Sequence, residues 1–95
     1  MLRFSWSQAK ARANLRKHGV EFEEARTVFH DENAIQFYDE DHSFGEDRFI
    51  MLGMSHRLRI LVVVHSETSR GEIIRLISAR KATAKEQAHY RGRAI

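Results

Sequence analysis

Glu72-Ile73-Ile74-Arg75-Leu76-Ile77-Ser78-Ala79-Arg80-Lys81, together with the preceding Leu61-Val62-Val63-Val64-His65, is the stretch whose reading decides the fold. Both runs are short, apolar and rich in β-branched residues, and the cluster Thr68-Ser69-Arg70-Gly71 between them has turn chemistry. They read as the last two of four strands, at roughly 34–40, 47–54, 59–66 and 72–79. Phe49-Ile50-Met51-Leu52 and Leu61-Val62-Val63-Val64 are apolar at successive positions, so both faces of the central strands should be covered. Short connections such as His42-Ser43-Phe44-Gly45 join antiparallel neighbours, which makes the four strands a meander.

Working outward, residues 2–6 alternate Leu2, Phe4 and Trp6 against Arg3 and Ser5, the pattern of a half-buried strand. Ser7 offers an N-cap oxygen to a helix reaching about His18, and Gly19 can take the left-handed conformation that closes it. A second helix at about Glu21–His30 places Phe22, Ala25, Val28 and Phe29 on one stripe, a cover for the sheet. A last helix begins near Thr83, whose spacing to Glu86 matches a capping box. The order strand, helix, helix, four-stranded antiparallel meander, helix predicts an α+β class. It forms a single compact domain over residues 1–95, with its helices mostly on one sheet face.

Composition narrows the setting. The 95 residues are 42% apolar and 31% charged, ordinary values for a globular chain of one modest core. No cysteine is present, which excludes disulfides and thiolate zinc sites and fits a reducing cytoplasm. No run approaches the ~18 apolar residues of a membrane span, and the N-terminus lacks a signal-peptide core. A cytoplasmic location without membrane contact is expected. Residues 31–47 hold seven acidic side chains and no Lys or Arg, whereas from Arg48 onward ten basic residues face three acidic ones. Such asymmetry favours anionic partners, nucleic acid foremost, although a merely solvated charged surface has the same composition.

Arg75 stands among Ile and Leu, where a guanidinium must reach water, a carboxylate or a phosphate. An internal salt bridge to Glu67 or to an acid of the 39–47 turn is one solution, and a phosphate clamp is another. Arg80 and Lys81 add donors beside a helix N-terminus, a place suited to anions. His65 ends its strand; if the hairpin pairs in an even register near a residue sum of 138, His65 and Arg75 share a face as an acid/base and clamp pair. An odd register removes that pair, and a strand-end histidine bonded to a carbonyl is the plainer role. Lys17-His18-Gly19 fits a helix C-terminus, where the macrodipole accounts for the cations. The six histidines show no paired metal spacing, and no glycine-rich phosphate loop or hydrolase elbow occurs, so neither metal nor nucleotide cofactor is expected.

Lys10-Ala11, Asn14 to Val20, Phe22-Glu23-Glu24-Ala25 and Val28-Phe29 resemble the N-terminal signature of the BrnT toxins. Asp39-Glu40-Asp41-His42-Ser43, Arg48-Phe49, Gly53-Met54-Ser55, Leu61 to His65 and Ile74 to Thr83 continue the likeness in order, over about residues 4–90. Two departures are Ser7, where the family usually has Asp, and Glu21, where it often has Ser. Ser7 can still cap its helix, whereas Glu21 weakens the next cap.

The resemblance implies a RelE-like fold and a ribonuclease that cleaves RNA and arrests translation. It also implies a BrnA-like antitoxin with a ribbon-helix-helix domain, and contact with operator DNA only through that complex. Chemistry and motif position, not the family, nominate Arg75 and Arg80 as phosphate clamps and His65 as acid or base, with Lys81 and Tyr90 as substrate contacts. Tyr90 enters because a C-terminal aromatic can stack on a base. The rival reading is a non-catalytic RNA- or antitoxin-binding module. A DNA-binding repressor fits less well, for no recognition helix is evident.

Overall fold

The computed structural model describes residues 2–68 and 71–93, so Ser69 and Arg70 of the last expected turn lie outside the described residues. The chain runs β1 (Arg3–Ser5), α1 (Gln8–His18), α2 (Phe22–Ala25) and a 3-10 turn (Arg26–His30). β2 (Ile35–Tyr38), a 3-10 turn (Glu40–His42), β3 (Asp47–Met54), β4 (Ile60–Glu67), β5 (Ile73–Lys81) and α3 (Ala84–Arg93) follow. The expected meander forms from β2 to β5, all neighbours antiparallel. β1 then lies parallel on the free side of β5, giving the order β1-β5-β4-β3-β2.

Local chemistry accounts for the first helix. The Ser7 hydroxyl accepts from the Lys10 amide at 3.3 Å, and Gly19 closes the helix at φ 69°. The second helix departs from expectation. Glu21 makes no side-chain cap, and after one α turn the backbone tightens into 3-10 geometry. Phe22, Ala25 and Val28 nonetheless enter the core as one stripe. The tight turn comes so close to β3 that a Cβ on Gly53 would lie 3.1 Å from the Ala34 Cβ and 3.3 Å from that of Val28.

One sheet face is closed by these segments. Val20, Phe22, Ala25 and Val28 pack on Leu61, Val63, Ile74, Leu76 and Ala79, with Phe4, Trp6 and Phe29 at the margin. The helices are not all there, however. Tyr90 of α3 and Ala82 just before it pack with Leu52, Ile60 and Val62 on the opposite face, because those strand positions are apolar on both sides. α3 thus covers one end of that second face and leaves the rest open.

The β4–β5 register contains one irregularity with large consequences. Val64 faces Ser78 but His65 faces Leu76, so Ile77 is an extra residue, a β-bulge. Before it, Ile74 and Leu76 point into the closed core; after it, Ala79 does. The bulge keeps apolar side chains inward on both sides of a phase break, and it sends Arg75, Ser78 and Arg80 to the open face.

Beyond β1, the outer edge of β5 is paired by a side chain. Asn14 of α1, buried, donates to the carbonyls of Ala79 at 2.8 Å and Val20 at 3.0 Å, and accepts from the Ala79 amide at 3.0 Å. It replaces a missing strand partner. Asn14→Ala leaves these backbone groups unpaired in the core, so a destabilisation of about 2–4 kcal/mol is expected in urea unfolding. A variant as stable as the parent shows the edge to be satisfied by other means.

Candidate functional site on the open sheet face

Three cross-strand rows build the open face. The first runs Arg48, Ser66, Arg75, Ser5; the second Phe37, Ile50, Val64, Ser78; the third Ile35, Leu52, Val62, Arg80. Successive rows are two residues apart along β3 and β4, about 7 Å, whereas on β5 the bulge makes the first step three residues, Arg75 to Ser78. Arg3 lies one step beyond Ser5 on β1, and Lys85 of α3 stands over the far rows. Five cations therefore meet two carboxylates, Glu46 and Glu86, on a surface otherwise made of serines, aliphatic groups and the exposed ring of Phe37.

Arg75 is held by Glu46, both side chains 38% exposed, so the expected salt bridge to an acid of the 39–47 turn forms. The guanidinium beside Glu46 keeps that carboxyl below the usual carboxylate range. Arg80 makes a bidentate pair with Glu86 at 2.8 and 2.9 Å. Glu86 also accepts from the Thr83 amide at 2.8 Å while Thr83 Oγ1 accepts from the Glu86 amide at 3.2 Å, which completes the capping box. Arg80 foremost, then this backbone bond, pulls the Glu86 carboxyl down to about 2. Both arginines are thus aimed by ionised carboxylates at the solvent side of the sheet.

The other candidates fall elsewhere. The hairpin is in odd register below the bulge, so His65 faces Leu76 while Arg75 faces Ser66, and the expected His65–Arg75 pair does not form. His65 has no exposed surface and sits in the closed core between Phe29 and Phe49, with ring centroids 4.8 and 5.6 Å away. Neither ring nitrogen has a hydrogen-bond partner, and Glu67 Oε1 stays 4.0 Å from Nε2. It cannot touch a substrate on the open face. Tyr90 is also buried, and its hydroxyl donates to Asp31 Oδ2 at 2.6 Å. That burial, then Asp31, raises its pKa to about 12, and the ring is packed in the core rather than free to stack on a base. Lys81 is exposed but pairs with Leu61, one alternation away from Arg80, so it leaves the face of the other two.

Sequence reasoning missed Arg48, Glu46 and the aromatic pair Phe37 and His89. For Arg48 a signal existed: it shares alternation with Ile50 and Leu52, as a charged start to an apolar row. It also missed the buried Glu24, which accepts from Ser55 Oγ at 2.6 Å and Arg59 Nε at 2.9 Å and thereby ties α2 to the β3–β4 turn. Arg59 holds the Glu24 carboxyl below its ordinary range.

Burial lowers the His65 pKa from 6.5 to about 4. The unfolded chain therefore binds the extra proton between these values, and stability is complete above pH 6.5 and is lost as pH falls towards 4. The difference amounts to roughly 3 kcal/mol. Urea midpoints measured from pH 7 to 4 should fall, and His65→Leu should remove much of that slope. An unchanged slope in the variant assigns the acid sensitivity to other groups.

Set against known proteins, residues 6–86 match the family model for the ribonuclease toxin BrnT of type II toxin–antitoxin systems. No curated protein matches the sequence. Among solved structures, the 1.1 Å crystal structure of the Brucella abortus ribonuclease toxin BrnT is similar in fold, with a TM-score of 0.68 at 22% identity. The alignment covers 87% of this chain and 99% of that one. With a family match spanning residues 6–86, most of the chain, and the α+β architecture shared, this chain belongs to the BrnT family of type II toxin–antitoxin systems.

Proposed function

We propose that the open sheet face is the RNA-cleaving surface of a metal-independent endoribonuclease that arrests translation in the cytoplasm. The observation that carries this reading is the first row: Arg48 and Arg75 side by side across Ser66, with the ionised Glu46 against Arg75. RNA supplies its own nucleophile. Its 2′-oxygen attacks the adjacent phosphorus, that P–O bond forms as the bond to the 5′-oxygen breaks, and a 2′,3′-cyclic phosphate remains. Arg75 stabilises the charge that builds on the non-bridging oxygens, where a donor acts on the transition state more than on the ground state, and Arg80, two rows away, holds another phosphate of the strand. Glu46, ionised and half-exposed, takes the proton of the 2′-hydroxyl. The leaving 5′-oxygen takes its proton from solvent on this open face. Each carboxylate of the face is engaged by a guanidinium, which supports charge stabilisation by arginine in place of a metal.

A BrnA-like antitoxin, whose ribbon-helix-helix domain contacts operator DNA on behalf of the complex, would neutralise the toxin by covering this face. Acidic side chains opposite Arg75 and Arg80 steer such an encounter, so association should slow as salt rises, and strand 72–81 should gain protection from amide exchange. A salt-insensitive rate with that strand unprotected places the antitoxin elsewhere.

Purified protein should cleave RNA equally with and without EDTA and leave 2′,3′-cyclic or 3′-phosphate ends; activity lost in EDTA and restored by a divalent ion refutes the reading. Arg75→Ala and Arg80→Ala should each lower the cleavage rate on the order of a hundredfold and relieve growth arrest. Their melting temperatures should stay within a few degrees, since half-exposed pairs contribute little to stability. Folded variants that remain fully toxic would sink the clamp assignment.

A further inference from the structure

The far half of the open face holds a cleft that the phosphate contacts above leave unused. Its floor is Phe37, Ile50, Leu52 and Val62, and its wall is Lys85, Glu86 and His89 of α3. The volume is about 440 Å³, within the roughly 300–1,000 Å³ of small-molecule sites. Phe37 lies 42% exposed on the edge strand. Its ring and the exposed His89 imidazole are 6.2 Å apart and tilted by 32°. Two π-surfaces therefore stand at the mouth of an apolar floor, and the same Glu86 that forms part of the wall holds Arg80.

We propose that this cleft is a nucleobase subsite, an inference that rests on the RNA-cleaving reading of the face. A nucleotide has one flat apolar part and one anionic part at a fixed separation, and the cleft offers both counterparts. The base lies on Phe37 and His89 above Ile50, Leu52 and Val62. Its phosphate meets Lys85 at the rim or the arginines of the neighbouring rows, one or two row spacings of about 7 Å away. A protein partner would need separate apolar and acidic side chains to match the floor and these cations, whereas a single nucleotide carries both parts. Glu86 is already engaged by Arg80 and the Thr83 amide. Glu86 is therefore not free to read the edge of a base, and the cleft holds the base by stacking, as is usual where aromatic platforms order single-stranded nucleic acid.

The test uses the whole protein and a fluorescent 2′-O-methyl RNA oligomer, which cannot supply the nucleophile and so reports binding alone. Phe37→Ala should weaken that binding roughly tenfold, within the range for loss of one stacked base. His89→Ala, at an exposed position, should weaken it in the same sense and guards against a folding defect in the first variant. In methyl spectra, adenosine 3′-monophosphate should shift Ile50, Leu52 and Val62, whereas ribose 5-phosphate should not. If both variants bind the oligomer like the parent and the methyls stay unmoved while Arg75→Ala loses binding, the subsite is refuted and the cleavage reading stands. If the parent neither binds the oligomer nor cleaves RNA, the reading itself fails and the subsite with it. If Phe37→Ala keeps RNA affinity but loses the antitoxin, the cleft seats a protein, which also overturns the proposal.

Discussion

A single extra residue in β5, Ile77, decides which side of this protein meets its surroundings. The strand carries two apolar phases, Ile74 and Leu76 before the bulge and Ala79 after it, and no regular strand can bury both. In unbroken alternation Ser78 and Arg80 would follow Ile74 and Leu76 into the core, at the cost of a buried guanidinium without a partner. The bulge removes that conflict. As a result Arg75, Ser78 and Arg80 all stand on one face, in register with Ser66, Val64 and Val62 of β4. The layout of the candidate site is thus a by-product of keeping the core dry.

A domain of this size, without disulfides, also relies on a few buried or half-buried polar groups that join elements far apart in sequence. Asn14 pairs the outer edge of β5, and Glu24 joins α2 to the turn between β3 and β4 through Ser55 and Arg59. Asp31 accepts from the Met54 amide at 2.8 Å and from the Tyr90 hydroxyl, so it links the 3-10 turn, β3 and α3. Each of these groups has its hydrogen bonds, and removal of one partner leaves others unpaired in the interior. His65 and its neighbour Ser66 differ: the imidazole is enclosed among aromatic rings with neither nitrogen satisfied, and the buried Ser66 hydroxyl has no partner among the described residues. These fasteners occupy the closed side and the rim of the sheet, which leaves the open face to be shaped by charge.

On that open face the arginines are not loose. Glu46 holds Arg75, and Glu86 holds Arg80 while it caps α3. An arginine aimed by a fixed carboxylate loses less freedom when it meets an anion than one waving in solvent, and its direction is set before the encounter. The carboxylates stay ionised because the same guanidinium groups lower their pKa values. Arg48 and Lys85 make no ion pair among the described residues, so their charge gives the open face a net positive field.

Much of the architecture was legible in local patterns. Strand periods, the first and last helices, the Ser7 cap, the Gly19 terminator and the Thr83–Glu86 box depend on neighbours within a few residues and appear at or near the expected positions, whereas the second helix tightens into 3-10 geometry after one turn. Family membership was legible too, since it rests on the order of residues over most of the chain. The faces of the sheet were not. Alternation tells which residues of one strand share a side, but register between strands is a long-range choice, and one inserted residue reverses it. That choice separated His65 from Arg75, sent Lys81 away from Arg80, and gathered Arg48, Arg75 and Arg80 on one side. The burial of Tyr90 and the parallel return of β1 were likewise decided by packing between distant segments. Residue types alone determined that the C-terminal half of this chain is cationic, but only the closing of the core determined which arginines stand together.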